Sequence, residues 1–129
     1  MRAMKRFISL WGPVVLFSGL VFIMSSMSSP VDVDPFPHFD KAAHITEYMV
    51  FAMLLFRALQ GTWSDINFFW LAFITVMITL TYGASDEFHQ SFVVSRTSDI
   101  KDWAADGIGA IAAMTAIFLK RRVFRRSPD

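Results

Sequence analysis

Four apolar stretches, about residues 7–24, 41–59, 66–84 and 102–119, limit what this 129-residue chain can become. A helix that crosses the hydrocarbon of a bilayer needs roughly 20 predominantly apolar residues, and each stretch is close to that length. Hydrophobic residues make up 54% of the chain, a composition that fits a membrane protein better than a soluble one. The expectation is an all-α bundle of four transmembrane helices in a single domain, with a polar loop between the third and fourth helices at the outer face.

The first stretch also has the outline of a signal peptide, with Arg2, Lys5 and Arg6 before it and Ser25, Ser26, Ser28 and Ser29 after it. It is long for a signal, and no clear Ala-x-Ala site follows. We read it as a retained helix; either reading delivers Ser28 to the outer side.

Charge asymmetry orients the bundle. Short cytoplasmic segments are enriched in Lys and Arg. Arg2, Lys5, Arg6, Arg57, Lys120, Arg121, Arg122, Arg125 and Arg126 all fall on one side of a four-span arrangement, and only Lys41, Arg96 and Lys101 on the other. The spacing therefore predicts a multi-pass protein of the inner (plasma) membrane with both termini cytoplasmic. Arg57 is expected to snorkel to the cytoplasmic interface, and the basic tail to anchor topology and contact lipid.

Ser29–Asp40 carries Pro30, Pro35 and Pro37 with Asp32 and Asp34, which predicts an extended loop. Asp40 is the expected N-cap of the second helix.

This threading brings the start of helix two, the end of helix three and the start of helix four to the outer face, and those ends hold the costly residues. Ionisable groups at a membrane usually mark function. Asp40, His44 and Glu47 share a helical face, as do Lys41, His44 and Tyr48. Asp86 reaches Gln90, and Asp99, Asp102 and Asp106 align at i, i+3 and i+7. So many carboxylates need compensation. One keeps a proton, or Arg96, Lys41 or a bound cation balances them. Arg96 is the expected bidentate partner of a carboxylate or a phosphate.

Each feature also has a purely structural reading. Asp86 and Glu87 would cap and solvate a helix end, His44 would be a hydrogen-bonded core histidine, and Asp106 would join helices. Gly107, Gly109, Ala112, Ala113 and Ala116 would let helices approach closely. Convergence of three helix ends on one face favours a functional site.

Asp40-Lys41 with His44 and Tyr48, then Tyr82 with Asp86-Glu87 and Gln90, then Arg96 and the Asp102-x-x-x-Asp106-x-x-Gly109 element resemble the VanZ-like family, small membrane proteins named for a teicoplanin-resistance component. The likeness covers about residues 40–109. It departs at Asp106, where the family pattern more often carries Asn, and His89 and Glu47 are not carried over from it. The resemblance implies an envelope membrane protein linked to glycopeptide susceptibility, and supplies no reaction.

The residues support three functional readings. In the first, Asp40, Lys41, His44, Tyr48, Tyr82, Asp86, Glu87, Gln90, Arg96, Asp102 and Asp106 bind a membrane lipid or a lipid-linked or cell-wall ligand. In the second, a membrane-embedded acid/base or metal-assisted enzyme acts on lipid headgroups, with Asp86, Glu87 and His44 as catalytic candidates. The third, a proton or ion pathway, is weaker, because the middles of helices two and three lack ionisable groups. No Gly-rich phosphate loop, Ser-His-Asp order or HExxH motif names a reaction. Cysteine is absent, so any metal would need His, Asp or Glu, and no metal site or cofactor is assigned. A formal charge of +1 and the lack of a recognition motif argue against a nucleic-acid partner. Nothing identifies an oligomer or a protein partner.

Overall fold

The computed structural model describes residues 1–27, 38–94, 96 and 98–126, with the side chains of 125 and 126 left out. The proline-rich segment 28–37 lies outside the described residues. Four helices run up and down: α1 (Arg2–Ser26), α2 (Phe39–Thr62), α3 (Phe68–Gln90) and α4 (Ile100–Arg126). All four are long and apolar enough to cross a membrane. This is the expected all-α bundle of membrane-spanning helices.

Every helix outruns its apolar stretch. At 1.5 Å per residue, even α3, with 23 residues, is about 35 Å long, against roughly 30 Å of hydrocarbon. The extra turns carry the polar residues. α3 begins where the Asn67 side chain accepts the Trp70 N–H at 3.0 Å, an N-cap bond. It continues past residue 84 through Asp86, Glu87 and Gln90, which turn inward and are buried. The third helix therefore ends about six residues later than its hydropathy suggests, and the polar loop is confined to the segment between Gln90 and Ile100.

The second helix also starts early. His38 occupies its N-cap position in the left-handed region (φ 65°, ψ 24°), and Asp40 lies inside the first turn. The expected Asp40 cap is thus corrected: Asp40 Oδ2 accepts from the Lys41 ammonium at 2.9 Å. α4 starts at Ile100, with the Asp99 side chain just before it accepting the Lys101 N–H at 2.9 Å.

The core lies along α2. Phe51, Ala52, Leu55, Phe56, Ala58 and Leu59 are buried there, mainly against Ala110, Ala113 and Met114 of α4 and Leu71 of α3. α2 and α4 point the same way and pack in register. The approach is closest at Gly109, where an added Cβ would collide with the Ile45 carbonyl and come within 2.9 Å of the Met49 nitrogen. Small residues at such a crossing let backbones meet, the common mode of helix association in lipid. Leu16, Phe69, Ile108 and Val123 point outward, each more than half exposed, as lipid-facing residues do.

α1 is the most peripheral helix, with only Val14, Val21 and Ser25 buried. Hydrogen bonds hold it at both ends. At the basic end, Arg6 donates to the Gly61 carbonyl at 2.8 Å and Trp11 to Thr62 Oγ1 at 3.0 Å. Pro13, having no N–H, leaves the Ser9 carbonyl without its helical donor, and Arg57 Nη1 supplies one at 3.2 Å. Arg57, expected only to snorkel, thereby joins α2 to α1. At the other end, the Tyr82 hydroxyl donates to the Ser18 carbonyl at 2.6 Å, and His89 Nε2 lies 3.0 Å from Ser26 Oγ.

Candidate functional site

The parallel register of α2 and α4 pairs their polar first turns. Lys41 faces Asp99 and Asp102, and His44 faces Asp106 one turn further in. The Lys41 ammonium donates to Asp40 Oδ2 at 2.9 Å, to Asp99 Oδ2 at 3.3 Å and to Asp102 Oδ1. One cation thus serves three carboxylates at the rim. The Lys101 N–H, and then Lys41, hold the Asp99 carboxyl below its ordinary value.

Deeper in, His44 Nδ1 lies 2.9 Å from Asp106 Oδ1. An ionised carboxylate only accepts, so Nδ1 carries the hydrogen and Nε2 keeps its lone pair when the ring is neutral. Asp106 is fully enclosed, at 0% exposure. It stands six residues into α4, about 9 Å along the axis from Ile100. Tyr48 stacks on His44 with ring centroids 6.2 Å apart. Gly83 makes room for the pair, since a Cβ there would come within 2.5 Å of Asp106 Oδ2 and 3.3 Å of the Tyr48 ring.

α3 closes the third side. Glu87 Oε2 accepts the Asp99 backbone N–H at 2.9 Å, tying the end of α3 to the start of α4. Asp86 Oδ2 accepts from Gln90 Nε2 at 2.9 Å, an i, i+4 bond that keeps this turn helical. One ligand-type atom each from His44, Glu87 and Asp102 lie within 4.8 Å of one another. Among the described residues, these three side chains, from three helices, are a group that could hold a metal ion.

Several buried polar atoms in this region have no hydrogen-bond partner among the described residues: the Tyr48 hydroxyl, Asp86 Oδ1, Glu87 Oε1 and Asp106 Oδ2. Asp86 and Glu87 are each 6% exposed and Asp102 8%. A buried acceptor left unmade costs about 1–3 kcal/mol, more when charged. The arrangement thus leaves three desolvated carboxyl oxygens without a donor or a cation, and one tyrosine hydroxyl without a partner, among the described residues.

Of the residues expected from the sequence, Asp40, Lys41 and Asp102 share one set of ion pairs, and His44 pairs with Asp106. Glu87 stands between the two groups, with ligand-type atoms of His44 and Asp102 within 4.8 Å. Tyr48, Asp86 and Gln90 lie beside them. Arg96 and Tyr82 stand apart from them. Arg96 Nη2 donates to the Met24 carbonyl at 3.2 Å and its Nε to the Met27 carbonyl at 3.3 Å, capping the end of α1 instead of clamping a carboxylate. Tyr82 faces α1 through its hydroxyl. Sequence reasoning missed Gly83 and Trp103. Trp103 Nε1 donates to the Leu80 carbonyl at 2.9 Å and fixes α4 against α3. A glycine one turn before two buried acids was the available signal for Gly83.

A family model described as VanZ/LLP1 matches residues 3–121, nearly the whole chain. No curated protein and no solved structure shows significant similarity to it. The match takes in α2 and α3 whole, nearly all of α1, most of α4 and every acidic residue of the candidate site. The chain belongs to the VanZ/LLP1 family.

Proposed function

We propose that this is a protein of the cell's inner (plasma) membrane, with both termini cytoplasmic, whose acidic pocket opens at the outer face and binds the polar part of an envelope lipid or a lipid-linked cell-wall component. The observation that carries this reading is the surplus of buried acceptors: Asp86 Oδ1, Glu87 Oε1 and Asp106 Oδ2 have no donor among the described residues. A ligand rich in hydroxyl or amino groups supplies what they lack. The location of the acidic residues in the first turns of α2 and α4 and the last turns of α3 supports a site near headgroup depth. The orientation rests on the basic residues gathered at the opposite end of the bundle. Family membership adds the proposal that loss of the protein alters susceptibility to glycopeptides such as teicoplanin.

A second reading, a membrane-embedded enzyme acting on a lipid headgroup, draws support from His44, Glu87 and Asp102 converging from three helices. Comparative profiling of lipids and cell-wall precursors tests both readings. A deletion strain and a Glu87→Gln strain are expected to show the same shift, with the variant protein present at normal level in the membrane. Accumulation of one precursor with loss of its product would select the enzyme. An unchanged profile in the deletion strain, or a wild-type profile in Glu87→Gln, would overturn a lipid or precursor role for the pocket.

A further inference from the structure

We infer that His44, Glu87 and Asp102 hold a divalent metal ion of the zinc class, with Asp106 orienting the histidine. The inference rests on reading the acidic pocket as a ligand site and names the ion that would complete it. Two observations carry it independently. The first is geometric: a nitrogen of His44 and one carboxylate oxygen each of Glu87 and Asp102 lie within 4.8 Å of one another. Ligands about 2.1 Å from a tetrahedral zinc stand roughly 3.4 Å apart, so each separation needs to shorten by at most about 1.4 Å. The second is the state of Glu87, which is 6% exposed and keeps Oε1 without a hydrogen bond while Oε2 holds the Asp99 N–H.

The surroundings match what a metal-binding histidine requires. A ligating imidazole almost always gives its other N–H to a carboxylate or carbonyl, which fixes the tautomer and the ring. The His44 Nδ1–Asp106 Oδ1 bond of 2.9 Å supplies that support and leaves Nε2 available. Lys41 does not neutralise the cluster, because its charge is shared among Asp40, Asp99 and Asp102. Asp102 gives Oδ1 to Lys41 and has Oδ2 left for an ion. One imidazole with two carboxylates suits zinc-class ions, whereas magnesium and calcium favour all-oxygen sets. Three protein ligands leave a fourth position for a water or a phosphate oxygen.

The test uses the full-length protein, purified in detergent after chelation, titrated with zinc chloride alone and separately with magnesium and calcium chlorides. One saturable zinc per chain is expected, with His44→Ala and Glu87→Gln each weakening it at least tenfold. Asp106→Asn is expected to weaken it about tenfold to a hundredfold, as supporting groups do. Zinc-edge X-ray absorption of the wild-type protein is expected to show imidazole and oxygen scattering at about 2.0–2.2 Å; it needs no variant and decides the matter should a variant fail to fold. Absence of saturable zinc, equal zinc binding by the variants, or a spectrum without imidazole would overturn the inference. Metal failure with a persistent Glu87→Gln lipid phenotype removes the ion and leaves the ligand site; zinc bound without that phenotype does the reverse.

Discussion

His44 Nδ1 lies 2.9 Å from Asp106 Oδ1 across the α2–α4 interface, and Asp106 has no exposure at all. Removing either partner strands the other. Asp106→Ala is expected to lower stability by about 1–2 kcal/mol, the upper range for polar contacts between membrane helices. Asp106→Asn, which keeps an acceptor for the imidazole, should cost less than half of that. Unfolding of the detergent-solubilised protein by SDS titration measures both. A double-mutant cycle with His44→Ala checks the pairing, and strict additivity would show that the two residues do not interact.

Gly109 and Gly19 form a matched pair of positions. A methyl group at Gly109 meets the backbone of Ile45 and Met49, which cannot swing away, whereas one at Gly19 meets nothing within 4 Å. Gly109→Ala is expected to destabilise by about 1–3 kcal/mol, as overpacking does. Gly19→Ala should keep or raise the midpoint of thermal unfolding, because alanine favours the helix. Equal midpoints for the two variants would contradict the tight α2–α4 crossing.

Arg96 places its guanidinium on the Met24 and Met27 carbonyls at the end of α1, adding a donor to Met24, which also takes the Met27 N–H at 3.2 Å. Arg96→Ala should cost about 0.3–1 kcal/mol, the usual worth of a cation at a helix C-terminus. Faster hydrogen exchange confined to the end of α1 is the expected signature. A variant that kept α1 protected but lost affinity for phosphate-bearing lipid would restore the anion-clamp role read from the sequence.

The proposed orientation has a direct check, because the chain contains no cysteine to give background labelling. Phe92, 72% exposed in the segment after α3, is the position to use. Phe92→Cys should react with a membrane-impermeant thiol reagent added to intact cells. Labelling only after lysis would reverse the bundle.

The four spans and the gathering of acids at one end were legible because both follow from hydropathy and from the alternation of direction along the chain. Helix ends were less legible. Hydropathy ends the third helix near residue 84, yet Asp86 and Gln90, buried and joined by a hydrogen bond, extend it to Gln90. Partner choice was hidden for a different reason. That Lys41 meets Asp102 and His44 meets Asp106 depends on the register of α2 against α4, which Gly109 and its backbone neighbours set, not on any local spacing. The destination of Arg96 was invisible because its acceptors are main-chain carbonyls, which every helix end possesses.

The bond from Arg57 to Ser9 bears on how the protein is made. A lone first helix enters the bilayer with an open carbonyl at the Pro13 step, and its missing donor belongs to a segment synthesised later. Water or a headgroup must serve until that arginine arrives. The earliest insertion product in which that carbonyl has its protein donor is therefore a two-helix hairpin of α1 and α2.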